Sequence, residues 1–291
     1  MWVLYSFLAA FSDAARLAVT KKLTTQISSF QIIFLSSLLS FPILVACFWS
    51  YFDISLLNGK ILSLIFFTVG LMYTLAFHCM NTALRISEFS IVMPLMTLSP
   101  IFLLFWEPLI LGDSAGFFGI IGVMLSIFGA YFLHFNKRSI GFFEPLKHLF
   151  YDRGAQLAVL TSVILSFGPI FDKTIMKSIS PQMYAMFFPF CGFIISFFLL
   201  LFTKKTLKKS QLNKKNIVTI IFMGIFMAGN TIFSLLPLQV ALGAYVVSIK
   251  RFSAVFAILI AYFVFHEKVA FKERLFASAL MVLGVIFISL D

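Results

Sequence analysis

Long apolar stretches separated by short polar ones make up almost the whole chain, and no other feature constrains its fold as strongly. A helix needs about 20 apolar residues to cross the hydrocarbon core of a bilayer. Of the 291 residues, 61% are hydrophobic and 11% are charged, whereas a soluble domain has about 25% charged residues. A water-soluble fold is therefore excluded, and we predict an all-α integral membrane protein. Ten stretches are candidate transmembrane helices: residues 2–20, 30–51, 61–84, 89–111, 115–135, 155–176, 183–202, 217–236, 244–265 and 269–290.

The second half of the sequence resembles the first. Residues 239–271 resemble residues 81–117. In one register Ala254 meets Pro100 and Glu267 meets Asp113, whereas Ala241 meets Ala83 only if a gap of a few residues is allowed. A weaker similarity relates residues 173–183 to residues 21–31, again at an offset of about half the chain. With five spans in each half, an odd number, the second half must enter the membrane from the opposite side. The pattern predicts a five-plus-five inverted-topology repeat, a plan of secondary transporters that places the substrate site near the membrane midplane.

The two longest polar segments lie at 136–154 and 203–216, and the first of them separates the similar halves. We therefore expect a first five-helix repeat at 1–136, a basic linker at 137–154 and a second repeat at 155–291. Most lysines and arginines outside the spans follow odd-numbered spans, whereas the loops after even-numbered spans carry only Lys60 and Lys177. By the positive-inside rule, the basic loops face the cytoplasm and both termini lie outside.

The formal net charge of +11 is explained by these basic loops, which orient a membrane protein and face its anionic lipids. Nucleic acid is not an expected partner. The expected partners are a small-molecule substrate and membrane lipid, with the chain acting as a monomer or a homodimer. The cysteines lie in apolar stretches without metal-ligand or disulfide spacing, and no cofactor is predicted.

Ionisable groups inside the spans need a reason, because each costs at least about 2.5 kcal/mol at membrane depth. Asp13 and Arg16 are three residues apart on one helical face, which predicts an ion pair, a proton-linked role for Asp13, or both. Glu107 precedes Pro108 in a proline-rich span, so it either carries a coupling proton or lies near the membrane surface. Asp172 and Lys173 lie near a helix end, where an interfacial pair is favoured.

Lys250 and Arg251 are the most suggestive charges, since they lie about two turns inside the ninth span. Adjacent helical residues point about 100° apart, so we expect one to meet an anionic substrate group and the other to contact protein or the interface. Both snorkelling to the surface is the alternative. Further candidates for substrate binding, with helix-to-helix hydrogen bonding as the alternative role, are Asn81, Asn230, Tyr73 and Tyr245. Small residues along the fifth span, from Gly116 to Ala130, and in the tenth predict close helix packing.

Motifs of catalysis are absent from the sequence: it has no GxxxxGK[ST] phosphate loop, no HExxH or CxxC and no GxSxG. The chain is therefore not expected to be an enzyme or to hydrolyse ATP by the phosphate-loop route. A lipid-modifying enzyme or a non-transporting partner subunit is the least favoured alternative.

Residues 83–113 (ALRISEFSIVMPLMTLSPIFLLFWEPLILGD) resemble the third and fourth spans of the EamA family of the drug/metabolite transporter superfamily. Residues 248–268 (SIKRFSAVFAILIAYFVFHEK) resemble the matching span of its second half. The resemblance implies a ten-helix inverted-repeat permease of the cell (inner) membrane, with a central cavity lined by spans one, three, four, six, eight and nine. Residues on those spans are Asp13, Asn81, Asn230, Lys250 and Arg251.

The chain departs from that family in two respects. Glu107 lies where a neutral residue is expected, and members are described with cytoplasmic termini, the reverse of the charge count here. The favoured function is secondary transport of a small polar metabolite, anionic or zwitterionic, with Lys250 or Arg251 meeting a carboxylate or phosphate. Any coupling proton would be carried by Asp13 or Glu107. The main alternative is a drug or organic-cation exporter of the same fold that uses Asp13 or Glu107 as its cation site.

Overall fold

A computed structural model describes residues 1–21, 29–87, 89–134, 147–203, 214–265 and 271–291. Within these residues the chain is helical and forms no strand. The main helices, in chain order, are α1 (Trp2–Lys21), α2 (Ser29–Phe48), α3 (Gly59–Ile65), α4 (Tyr73–Ile86), α5 (Phe89–Met96), α6 (Ser99–Leu111), α7 (Phe117–His134), α8 (Arg153–Met176), α9 (Pro181–Thr203), α10 (Lys214–Leu238), α11 (Gly243–Lys250), α12 (Ser253–Phe265) and α13 (Phe271–Ser289). A π-helical turn, Phe66–Met72, joins α3 to α4.

Seven helical stretches in the described part of the chain are long and apolar enough to cross a membrane. They are Trp2–Val19, Gln31–Tyr51, Gly59–Met80, Ile91–Leu111, Arg153–Met176, Pro181–Phe202 and Asn216–Leu238. Two shorter apolar helices, Phe117–Leu133 and Phe276–Ser289, accompany them. Large apolar side chains such as Phe105 and Phe263 are exposed on the outside of the bundle, where lipid would cover them. The prediction of an all-helical, multi-pass membrane protein is confirmed.

Two helical rods are broken at corresponding places. The break between α5 and α6 lies at Thr97 and Leu98, and the break between α11 and α12 lies 154 residues later at Arg251 and Phe252. The same shift of 154 takes the start of α5 to the start of α11 and the start of α7 to the start of α13. The helix boundaries therefore follow the register in which the two halves of the sequence are similar.

Contacts between the halves follow the same symmetry. Helix α1 packs against α10, and its counterpart α8 packs against α4. Helix α1 also contacts α11 and α12, just as α8 contacts α5 and α6. Two further large contacts, α2 with α9 and α7 with α13, each join an element to its own counterpart, whereas the large contact of α2 with α10 has only a weaker equivalent in that of α9 with the π-helical turn. Each half therefore contributes equivalent helices to the centre of the bundle.

The N-terminus of α8 is fixed to the end of α4. Asp152 caps α8 by accepting a hydrogen bond from the amide of Gly154 at 2.7 Å, and it also accepts one from the hydroxyl of Ser87. Although partial burial opposes the shift, these hydrogen bonds hold the pKa of Asp152 below its usual value. The cap holds α8 next to the C-terminal end of α4, which sets the position of both helices along the cavity described below.

Close packing of α7 on α13 depends on glycine. A Cβ atom on Gly122 would lie 2.5 Å from the carbonyl oxygen of Gly284 and 2.7 Å from the amide nitrogen of Ile288. One on Gly129 would lie 2.7 Å from the carbonyl oxygen of Ala277. These neighbours are backbone atoms, which cannot move aside without separating the helices. The small residues of the fifth and tenth spans thus have the packing role expected of them.

We predict that Gly122→Ala lowers the free energy of unfolding by about 1–3 kcal/mol, the range for overpacking a close interface. Thermal unfolding in detergent measures this. The matched control is Gly59→Ala, because a Cβ at Gly59 meets no atom within 4 Å and should change stability by less than about 0.5 kcal/mol. Equal stability of the two variants would contradict the packing argument.

Candidate functional site

A cavity of about 1080 Å³ lies inside the bundle, and its wall includes both similar halves of the chain. Helices α1, α2 and α4 contribute from the first half, and α8, α9, α10 and α11 from the second. From Asp172 and Leu238 it extends past Met80 and Leu199, toward the helix ends that lead into the basic loops. The charged and amide-bearing side chains in its wall are Asp13, Arg16, Asp172, Asn230, Lys250 and Arg251, joined by Tyr73 and His78.

Most of the site residues proposed from the sequence lie in this wall: Asp13, Arg16, Tyr73, Asn230, Lys250 and Arg251. The Nη2 atom of Arg16 is 2.7 Å from Oδ1 of Asp13, so these two charges neutralise each other. Asn81 lies in α4, but its side chain is outside what the structure describes. Glu107 and Tyr245 lie away from the cavity wall and take part in the contacts at the other end of the bundle given below.

Arg251 binds the broken rod of the other half. Its Nη2 donates to the carbonyl oxygen of Met96 at 3.1 Å and to the hydroxyl of Ser99. In a continuous helix the carbonyl of Met96 would accept from the amide four residues on, but that residue is Pro100, which has no N–H. The guanidinium therefore satisfies an acceptor that the proline leaves open. Arg251 is a positioning residue that joins the two breaks.

Lys250 has a different environment from its neighbour. Its side chain lines the cavity, and the structure records no hydrogen bond or ion pair for its ammonium among the described residues. It is close enough to Asp13 and Asp172 to interact with both electrostatically. Both cations line the cavity, but of the two only Arg251 has hydrogen-bond partners among the described residues; that a single one of them meets a ligand stays a prediction.

Asp172 is a cavity residue that the sequence did not reveal. It is only 3% exposed, and its two carboxylate oxygens accept hydrogen bonds from Tyr73 at 2.9 Å and Tyr184 at 2.8 Å. The expected interfacial pair of Asp172 with Lys173 is wrong, because Lys173 bonds Glu107 instead. One signal was available: adjacent helical residues point about 100° apart, so Asp172 and Lys173 had to face different surroundings.

The position of Tyr73 depends on two features of the backbone. The π-helical turn at Phe66–Met72 ends immediately before it, and such turns change the direction in which the following side chains point. Gly168 on α8 provides the space, because a Cβ atom there would overlap the hydroxyl of Tyr73. Together they allow the phenol to cross from the third span to Asp172 on α8.

The end of the bundle opposite the basic loops is closed around Glu107, which is 1% exposed. Its Oε1 lies 2.8 Å from Nζ of Lys173 and accepts from the amide of Gly243 at 2.6 Å, while Oε2 accepts from the amide of Ala244 at 3.1 Å. A carboxylate at a helix N-terminus is stabilised by the amides and by the helix dipole. Glu107 thus joins α6, α8 and α11, and we call Glu107, Lys173, Gly243 and Ala244 the Glu107 cluster.

A second, smaller cavity of about 590 Å³ lies on the far side of the Glu107 cluster. Lys173 and Asp113, whose Nζ and Oδ2 atoms are 3.1 Å apart, line it. Leu238 lines both this cavity and the central one. At the same end of the bundle the hydroxyl of Tyr245 donates to Asp291, and Asp291 accepts from the amide of Gly116 at 2.9 Å. These contacts separate the central cavity from this face of the protein.

The described residues contain no group of three or more His, Cys, Asp or Glu side chains placed to hold a metal ion. The central cavity offers charge recognition by a lysine and an aspartate, with tyrosine and amide groups beside them. Such a site can bind and release a polar molecule.

Comparison with known proteins gives a consistent result. The model of the EamA-like transporter family matches residues 1–135 and 152–290. A solved structure described as "Crystal structure of protein" has a TM-score of 0.80 at 14% sequence identity, over 99% of this chain and 96% of that one. At this identity the similarity shows the fold alone. No curated protein matches the chain. The family match covers nearly all of both halves, and the chain belongs to the EamA-like transporter family of the drug/metabolite transporter superfamily.

Proposed function

We propose that the protein is a secondary active transporter that moves a small polar metabolite, anionic or zwitterionic, by alternating access. Lys250 carries this proposal, because its ammonium lines a large cavity between the two halves and has no hydrogen bond or ion pair among the described residues. An unpaired cation at membrane depth is costly, and a carboxylate or phosphate of a substrate would compensate it. Family membership supports transport as the activity.

The proposal includes ten crossings arranged as a five-plus-five inverted repeat. It is supported by the shared shift of 154 residues in the broken rods and by contacts that come in equivalent pairs. Beyond the seven long spans, the apolar helices α7 and α13 and the interrupted rod formed by α11 and α12 each supply one further crossing. Counted as rods, they bring the crossings to ten.

Alternating access requires one face to be closed while the other is open. The Glu107 cluster lies between the central cavity and the small cavity beyond it, so it is suited to act as the closed gate. The central cavity extends toward the face of the basic loops, which the positive-inside rule places in the cytoplasm. We therefore assign the Glu107 cluster to the outer gate.

The alternative of an organic-cation exporter loses its expected cation sites. It depended on Asp13 or Glu107, and the structure engages the first with Arg16 and the second with Lys173. The same ion pairs hold the two carboxylates proposed to carry a coupling proton. Proton coupling through Asp13 or Glu107 stays a prediction.

We predict that anionic or zwitterionic metabolites raise the melting temperature of the purified protein in a library screen, because a ligand that binds the folded state stabilises it by mass action. Lys250→Met should weaken binding of the hits at least tenfold. Lys60→Met removes an exposed lysine outside the cavity and should leave binding unchanged. If lipophilic cations were the hits in place of anions, the organic-cation exporter would replace this proposal.

A second prediction concerns the outer gate. A single cysteine at Thr231, a residue of the cavity wall, is introduced after Cys47, Cys79 and Cys191 are replaced by alanine. Lys173→Met leaves the buried Glu107 carboxylate without its cation, and breaking one side of a buried ion pair costs about 3–5 kcal/mol. We expect an impermeant maleimide added on the side opposite the basic loops to label the cysteine at least tenfold faster. Lys60→Met serves as the control, and unchanged labelling in Lys173→Met would exclude the cluster as a gate.

A further inference from the structure

We propose that Asp172 and Lys250 are the two poles of one binding site, so that the ligand is a zwitterion whose cationic group meets Asp172 and whose anionic group meets Lys250. This inference rests on the proposed function and narrows it from polar metabolites in general to molecules that carry both charges. It also gives a role to the one acidic cavity residue that no other part of the function uses.

The first pole is a carboxylate held in place by neutral groups. Tyr73 from α4 and Tyr184 from α9 each donate one hydrogen bond to Asp172, at 2.9 and 2.8 Å. The structure gives this carboxylate no ion pair among the described residues, and it lines the cavity. Two phenols orient a carboxylate without neutralising it, and each of its oxygens keeps a lone pair that can accept a further donor. A charged donor from the cavity, such as an ammonium, forms a stronger hydrogen bond with such a carboxylate than a neutral donor does.

The second pole is the ammonium of Lys250, which faces the same cavity from α11. It is within electrostatic range of Asp172 but forms no ion pair with it. The two charges thus lie near each other without contact, each fixed on a different helix. A ligand that carries opposite charges at its two ends can contact both at once.

The other charged groups of the described cavity wall are engaged by protein groups, Asp13 and Arg16 by each other and Arg251 by neutral acceptors at the α5–α6 break. Asp13 and Arg16 form an ion pair at 2.7 Å. Arg251 is bound by the carbonyl of Met96 and the hydroxyl of Ser99. Within the described part of the wall, Asp172 and Lys250 are therefore the charged pair left for a ligand.

Charge balance favours a zwitterion over a simple anion. An anion bound at Lys250 would remove the one cation that offsets Asp172 and leave this carboxylate uncompensated in a poorly solvated site. A simple cation at Asp172 would leave Lys250 uncompensated in the same way. A zwitterion satisfies both groups, and its own charges are neutralised at the same time.

The test uses ω-amino acids from glycine to 6-aminohexanoate, which separate an ammonium from a carboxylate by an increasing number of methylenes. Each is compared with the carboxylate and the alkylammonium of the same chain length, by thermal shift or calorimetry on the purified full-length protein. We expect one length to bind at least tenfold tighter than both of its single-charge analogues. That length measures the separation of the two poles.

Two variants assign the poles. Asp172→Asn keeps the size of the side chain and one acceptor oxygen for the tyrosines. In this variant the ω-amino acid should bind no more tightly than the carboxylate of the same length. In Lys250→Met the ω-amino acid should bind no more tightly than the alkylammonium of the same length. The matched controls are Asp53→Asn and Lys60→Met, which remove exposed charges outside the cavity. Tyr73→Phe removes only one donor to Asp172, and in this variant the advantage over the carboxylate should be reduced without being lost.

Several results would overturn the two-pole site. If carboxylates bound as tightly as the ω-amino acids at every length, the anion transporter would stand and the zwitterion would not. If proton uptake accompanied that binding and disappeared in Asp172→Asn, the partner of Asp172 would be a proton. If the library screen found anions and no ω-amino acid bound at any length, the two-pole site would be rejected and the proposed function would stand. Binding of alkylammoniums alone would reject both this site and the proposed function.

Discussion

Compensation of charge inside an apolar bundle is the constraint on which the rest of this structure depends. Water is not available at membrane depth to solvate an ionised side chain, so protein groups or a ligand must do it. Glu107 shows how much structure one charge can organise: Lys173 from α8 and two amides at the start of α11 converge on it. Three helices meet where they do because this carboxylate has to be satisfied, and the closed end of the bundle is the result.

The halves of the chain share a backbone plan but differ in how each break is stabilised. In the first half, Pro100 leaves the carbonyl of Met96 without its usual donor. In the second half the aligned residue is Ala254, whose amide donates to the carbonyl of Arg251 at 3.1 Å. The side chain of Arg251 then supplies what the first break lacks. A side chain at the second break thus donates the hydrogen bond that the first break lacks. This contact joins the fourth and ninth spans, and Lys250 lines the cavity beside it.

Hydropathy and the similarity of the halves predicted the helices well, because both depend on composition and spacing within one segment. The breaks near Pro100 and Arg251 lie in the register that the sequence alignment indicated. Partners of individual side chains could not be predicted in this way. Glu107 and Lys173 are 66 residues apart, and no local pattern joins them. Asp172 was assigned to the interface because its depth was judged from the helix end. In the structure it lines the cavity and accepts a hydrogen bond from Tyr73, whose position depends on the π-helical turn and on the space at Gly168.

Lys250 and Arg251 show why adjacent charges of the same sign can have unrelated roles. They are separated by about 100° around the helix. Both line the cavity, but the guanidinium of Arg251 also reaches the α5–α6 break, where Met96 and Ser99 accept its hydrogen bonds. Within the described part of the wall, Asp172 and Lys250 are then the charged groups that have neither an ion pair nor a place in the α5–α6 break, and the two-pole site proposed above uses both. The hydrogen bonds of Arg251 to the α5–α6 break therefore distinguish its environment from that of Lys250.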